Sequence, residues 1–354
     1  MPVFNSRTVI ELARGIRAFM KVEAGLTRGE IPPGDPDVSG QPASELARVR
    51  IRLEEKEREI AGLKQRLAAP VPRDGGVNPE NVVWIFCSNR SGSTWLSSMM
   101  GEVEGHEVWN EPLVGKLFGD LYYVGAAGHQ KVKQYILGDY HKGSWLDSIQ
   151  SFVLSEATAR FPEVAEGGYL IIKEPNGSIG APLLSEAMPA SRVIFLVRDP
   201  RDVAASGLDA ARKGSWQYEN AADRGWKRDA LADNQPDVWV RRRAQNYVRH
   251  AGKARDAYEA HKGPKALIRY EELRDDTLGT MKRLYSTLGI EVGEGDLARA
   301  VEKHAWENIP QKEKGQGKFY RKAKPGGWKE DLTPGQVEIV EQVSAPLLKE
   351  FYPG

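Results

Sequence analysis

Three things are scarce in this 354-residue chain. It has one cysteine, Cys87. No intrachain disulfide can form, and a lone thiol at the end of an apolar run is expected to pack in a core. No window approaches 18 consecutive apolar residues and no signal peptide opens the sequence, so a membrane-spanning helix is not expected and a reducing cytoplasm is the expected location. Charge of one sign is also missing: 50 Lys and Arg face 49 Asp and Glu, for a formal net charge of +1. That balance leaves no electrostatic footprint for a nucleic-acid partner, so basic residues must act locally. What remains, 40% hydrophobic and 28% charged residues, is the make-up of a globular protein with one large domain and an appendage.

The chain is organised around Val82 to Leu96, VVWIFCSNRSGSTWL. Apolar residues from Val82 to Phe86 give way to small polar ones, and a helical apolar pattern begins at Trp95. This reads as a buried strand, a tight loop and a helix start. Backbone amides of Ser91, Gly92, Ser93 and Thr94 at that start, with the helix dipole behind them, form a seat for a phosphate. Arg90 adds a planar cationic fork. A polar loop without a ligand is the plainer alternative. A nucleotide triphosphatase would need a Lys directly after the second glycine of its loop. No Lys follows Gly92, and the cation precedes it as Arg90.

Further segments follow in order. Tyr169 to Lys173 (YLIIK) reads as a second strand, ending in Lys173-Glu174-Pro175. A basic residue at the carboxyl end of such a strand faces the ligand crevice of an open α/β sheet. Arg192 to Arg201 (RVIFLVRDPR) reads as a third strand running into a helix, with Arg198 eight residues before Ser206. Ala266 to Leu273 (ALIRYEEL) reads as a fourth strand entering a helix at Tyr270, and Phe319 to Lys329 reads FYRKAKPGGWK. Between these, Glu111 lies 21 residues after Arg90 and precedes Pro112, which pushes its backbone towards an extended conformation. Residues 117–165 are rich in aromatics, with helices expected near 129–138 and 144–160. Residues 212–236 form a charged loop with Trp216 and Trp226, expected as a lid, and Val238 to Glu259 forms a long helix.

RSGSTW and the segments after it resemble the sulfotransferases that use 3′-phosphoadenosine 5′-phosphosulfate (PAPS). The resemblance covers residues 80–350. It implies that Arg90, Ser91, Gly92, Ser93, Thr94 and Trp95 hold the 5′-phosphosulfate and that Arg198 and Ser206 bind the 3′-phosphate. It further implies that Tyr270 lies near the adenine or the catalytic centre and that Arg321 and Lys322 close on the 3′-phosphate. Lys173 would contact the sulfonate or bridging oxygen. Many cytosolic members carry a catalytic histidine two residues after that lysine; here the position is Pro175. The base role passes to Glu111, as in members that use a glutamate, with Glu174 in reserve. Ala323 and Gly327 depart from the family's Gly and Asp, and Ala323 would be strained at positive φ.

The expected enzyme transfers a sulfuryl group from PAPS to an acceptor hydroxyl, releases 3′-phosphoadenosine 5′-phosphate (PAP), and uses cationic side chains where a kinase uses Mg²⁺. A carbohydrate or glycolipid acceptor is favoured by the glutamate base. A P-loop small-molecule kinase and a catalytically silent PAPS- or PAP-binding protein are the alternatives. The fold expected is a three-layer α/β domain with a short parallel sheet flanked by helices, over residues 80–354. Before it come an amphipathic helix within 1–30, whose residues 7–26 could touch a membrane surface, and a linker over 31–42. A coiled-coil helix over 43–69 and a second linker over 70–79 complete the appendage. Leu46, Val49, Leu53, Lys56, Ile60, Leu63 and Leu67 step by three and four, with opposite charges at Glu45 and Arg50, Arg52 and Glu57, Glu59 and Lys64, which predicts a homodimer through 45–67.

Overall fold

The computed structural model describes residues 76–125, 128–220 and 230–353. The calls on the amphipathic helix, the coiled coil and the linker before residue 76 lie outside the described residues.

Five strands form one parallel sheet: β1 (Val82–Cys87), β2 (His106–Asn110), β3 (Tyr169–Lys173), β4 (Arg192–Val197) and β5 (Lys265–Arg269), in the order β2-β3-β1-β4-β5. The apolar runs of the three inner strands β1, β3 and β4 reflect burial on both faces. Along β1 the side chains alternate. Val82, Trp84 and Phe86 join one core with Leu170, Ile172, Val193 and Phe195. Val83, Ile85 and Cys87 join the other with Ile171, Ile194 and Ile268. This period of two makes the sheet the middle of three layers.

Helices α1 (Ser93–Met100), α2 (Val114–Gly119), α3 (Lys142–Arg160), α4 (Ala181–Ala187), α5 (Pro200–Ala211), α6 (Pro236–Ala260), α7 (Tyr270–Asp275), α8 (Thr277–Leu288), α9 (Glu294–Lys303) and α10 (Pro334–Phe351) surround it. The first core is covered by Ile149, Val153 and Ala157 of α3, Leu183 and Leu184 of α4, and Ala254 and Ala257 of α6. The second is covered by Leu96, Met99 and Met100 of α1, Leu284 and Leu288 of α8, and Leu297 of α9. Cys87 is fully buried there, and burial pushes its thiol up to about 12.

Two sequence expectations are corrected. The sheet has five strands, not four. His106–Asn110 is an edge strand with only Trp109 buried, so its polar residues hide the strand pattern. The helix expected near 129–138 is a chain of turns, Val132 N to His129 O, Tyr135 N to Val132 O and Gly138 N to Tyr135 O. Val132 and Ile136 stay exposed and Leu137 is the one apolar residue of the segment that is buried, too little to support a helix there. Of the expected lid, residues 221–229 lie outside the described residues. The flanks hold single helical turns at Trp216–Glu219 and Leu231–Asn234.

Because every strand is parallel, their carboxyl ends share one edge. β1 lies between β3 and β4, so the chain departs to opposite sides of it, and the crevice opens above its end.

Candidate active site

The loop after β1 turns sharply. Arg90 has φ 68° and Gly92 φ 92°. A Cβ on Gly92 would lie 2.5 Å from the Tyr270 ring, so glycine is needed both for the turn and for the close approach of Tyr270. Helix α1 starts at once, leaving the amides of Ser93 and Thr94 without helical partners. Ser91 Oγ is buried, with no hydrogen-bond partner among the described residues. Apart from Ser91 and the reserve base Glu174, every residue named above as cofactor-holding or catalytic lines one cavity of about 930 Å³.

At one end three cations converge. Arg90 Nε donates to Ser206 Oγ (3.1 Å), and Arg198 Nη1 donates to Arg90 O (3.0 Å). The Arg198 guanidinium lies 4.2 Å from the Tyr270 ring centroid, and its Nε is buried without a partner among the described residues. Burial, then the charges of Arg198 and Arg321, lower Arg90 to about 10. Cations crowded enough to depress one another, with buried donors unspent, are arranged to receive an anion. The rings of Trp216 and Phe319 flank the Arg90 guanidinium at 5.7 and 5.5 Å.

The loop that carries Phe319, Arg321 and Lys322 is tied to α5 by two aspartates. Asp209 accepts from Gly317 N (2.9 Å), and Asp202 accepts from Gly326 N (2.7 Å) and Trp328 N (2.9 Å). Ala323 takes φ 48°, the strained conformation its replacement of glycine implied, and its carbonyl accepts from Arg274 Nε (3.0 Å). Arg321 pairs with Asp331, and Lys322 with Asp331 (2.8 Å) and Glu330 (3.0 Å), so both cations are already engaged by that acidic turn.

At the other end Lys173, only 4% exposed, leaves β3 and donates through Nζ to Thr94 Oγ1 (3.1 Å) and Glu111 Oε1 (2.8 Å). Asn176 Nδ2 donates to Glu111 Oε2 (2.7 Å), and Asn89 Nδ2 donates to Asn176 Oδ1 (3.1 Å). One chain of contacts therefore runs from the phosphate loop to Glu111 and back. The extended backbone expected at Glu111 is corrected: its φ is 46°. The preference imposed by Pro112 is overridden by the Glu111 N to Lys173 O bond (2.9 Å), which continues the β2–β3 pairing, and by the two bonds holding its carboxylate. Such a backbone costs on the order of 1–3 kcal/mol.

Glu174, the reserve candidate, does not reach the cavity. It is fully buried, and Oε1 accepts from Val114 N (3.0 Å) at the start of α2. Burial raises it to about 8.

Sequence reasoning missed the inner face of α6. Arg243 Nη2 donates to Asn89 O (2.7 Å), Tyr247 OH donates to Arg198 O (2.9 Å), and His250 Nδ1 bonds Pro175 O (3.0 Å). These positions, spaced four and three apart, bolt the exits of β1, β4 and β3 to one helix. The available signal was three polar residues along a stripe of buried alanines. Asn176 and Asn89 carried no such signal. Among the described residues, no group of three His, Cys, Asp or Glu could hold a metal ion.

A family profile described as the sulfotransferase domain matches residues 80–352. No curated protein matches the chain. A solved structure similar to it is mouse sulfotransferase SULT7A1 complexed with PAP, at 15% identity and TM-score 0.50, covering 79% of this chain and 88% of that one. Others are sulfotransferase STF9 from Mycobacterium avium (15% identity, 84% and 81% covered, TM-score 0.46) and the sulfotransferase domain of the Synechococcus PCC 7002 olefin synthase (19% identity, 78% and 98% covered, TM-score 0.40). At 15% identity the likeness to the mouse enzyme speaks to fold alone, whereas the profile spans the whole α/β domain: the chain belongs to the sulfotransferase domain family.

Proposed function

We propose that this PAPS-dependent sulfotransferase sulfates a hydroxyl of a carbohydrate or glycolipid, with Glu111 as base and with Arg90 and Lys173 as the catalytic cations, Arg90 on the side of the anion end and Lys173 on the side of the acceptor. The observation that carries this reading is the Lys173 ammonium, which bridges Thr94 of the phosphate loop and the Glu111 carboxylate at 3.1 and 2.8 Å.

The residues fit the donor. The amides of Ser91 to Thr94, the helix start and Arg90 would hold its 5′-phosphosulfate. Arg198, Ser206, Arg321 and Lys322 would hold the 3′-phosphate, and Tyr270 and Trp95 would wall the nucleotide. When bound, PAPS supplies the activated sulfuryl group. Glu111 would take the proton of the acceptor hydroxyl as that oxygen is sulfated, and Lys173 and Arg90 would offset the negative charge left on the departing phosphate. Asn176 and Lys173 hold both carboxylate oxygens of Glu111, so its orientation is set before the acceptor arrives.

A positioned general base contributes about 10²–10⁴-fold. Glu111→Ala is expected to lower turnover by that range while PAP binding persists; unchanged turnover with intact PAP binding would remove Glu111 from the mechanism. The same proposal places the protein in the cytoplasm, with residues 45–67 as a homodimer seam and 7–26 as a peripheral membrane contact, all on sequence pattern alone. Sedimentation of the full chain carrying Leu53→Lys and Ile60→Lys is expected to show a monomer where the parent is a dimer.

A further inference from the structure

Helix α2 and the wide helical turn that continues it, Asp120–Gly125, present three faces. Val114, Phe118 and Tyr122 pack on the first core. Gly115 and Gly119 lie against the backbone of 177–180, where a Cβ on Gly115 would come 2.1 Å from Gly177 O. The third face should be polar, because it meets water. It carries Leu113, Leu117 and Leu121 instead, 39%, 49% and 43% exposed. Leu117 and Leu121 lie four apart on these turns, and Leu113, at φ 61° just before α2, joins them on the same lining. They floor a shallow groove of about 370 Å³ edged by Lys116 and Asp120. Leu113, Lys116 and Asp120 also line the catalytic cavity, so the groove is the continuation of its mouth. It begins two residues from Glu111. Arg249 pairs with Asp120 at 3.4 Å, giving the apolar floor a polar edge.

We propose that this row receives the aliphatic tail of the acceptor. The acceptor is then an amphiphile: a hydroxyl-bearing head in the cavity and a saturated hydrocarbon chain along Leu113, Leu117 and Leu121. The proposal rests on the reading that the acceptor hydroxyl meets Glu111. Three points select a chain over other occupants. The groove leads out of the cavity, so a ligand anchored at Glu111 reaches it without a second entry. From Leu117 to Leu121 the strip runs ~6 Å at the helical rise, and Leu113 extends it towards the cavity one side chain wide, which suits a linear chain. A second protein would need about 800 Å² on each partner for a standard interface, far more than three half-exposed leucines offer. An exposed apolar strip with charged edges beside a catalytic cavity is the kind of surface that marks ligand contact.

The test is calorimetric titration of the full chain, loaded with PAP, with methyl, hexyl and octyl glucoside below micelle formation. Affinity is expected to rise roughly twofold per added methylene, since a groove buries each one only in part. Leu117→Gln with Leu121→Gln is expected to flatten that rise and to leave PAP affinity unchanged. Affinity independent of chain length, an unaltered rise in the double variant, or no binding of octyl glucoside at millimolar concentration would each overturn the proposal. So would a double variant that sedimented with a different mass, since the row would then be a contact between copies of the chain. Sulfate transfer is scored separately: an intact rise with no product would count against Glu111 as the acceptor's base and leave the tail site standing.

Discussion

The two ends of the cavity are built by different rules. The anion end draws on backbone: unpartnered amides at the start of α1, a glycine at φ 92°, and arginines whose neighbours are other arginines. The acceptor end draws on side chains held by side chains, with Glu111 between Lys173 and Asn176 and a helix face of leucines beyond. A phosphate seat depends on loop geometry and charge, and few residue sets supply both. An acceptor seat depends on which side chains a scaffold brings together, and many sets would serve. The first end can therefore announce itself in a sequence, whereas of the second only Glu111 and Lys173 could be named, through resemblance, and Asn176 and the leucine face are visible only when folded.

Lys173→Met breaks the link between the ends most sharply. It removes the cation that touches both Thr94 and Glu111. Turnover is expected to fall by about 10²–10³, the cost of losing a preorganised electrostatic contact, with PAP affinity nearly kept. A loss confined to PAP affinity would move Lys173 to the anion end.

Asn176→Ala sharpens the acceptor end, with turnover expected to fall roughly tenfold, on the order of one charge-assisted hydrogen bond. Asn176→Asp should cost more, because it sets a second carboxylate on Glu111 Oε2. Equal effects of the two would reduce Asn176 to packing.

Glu174 gives the contrast in pH. Its folded value is raised to about 8 by burial, above the ordinary value of 4.5. Between those values the native state holds a proton that the unfolded state has lost, so stability falls as pH rises from about 5 to 8. Glu174→Gln keeps an acceptor for Val114 N and should flatten that fall, by a few kcal/mol at most, in thermal melts across the same range. Parallel curves for the two proteins would contradict the burial argument. The smallest effect expected is Ala323→Gly. Relief of the φ 48° strain is partly offset by the freer unfolded chain, for a net gain of roughly 0.5 kcal/mol.

The legibility of the sequence follows the same division. The strand, loop and helix from Val82 to Met100 were readable because burial, phosphate geometry and helix initiation each demand particular residues there. The strands β3 and β4 were readable from continuous apolar runs, and β5 from the shorter run Ala266 to Ile268 leading into Tyr270. The edge strand β2 was not, because an edge tolerates polar residues and its alternation is weak. The conformation of Glu111 was misread because a local proline preference was weighed without the β3 carbonyl and the Lys173 and Asn176 contacts that override it. Arg243, Tyr247 and His250 were not singled out within the expected long helix, since nothing local says that three loop carbonyls will meet them.

The most direct test of the account is calorimetric titration of PAP into the parent chain and into Arg198→Ala. The account predicts binding in the micromolar range for the parent, weakened about 100-fold when the guanidinium is lost, as for charged hydrogen bonds of about 1.5–3 kcal/mol each. Binding of Mg²⁺–ATP in its place, or PAP affinity indifferent to Arg198, would contradict it.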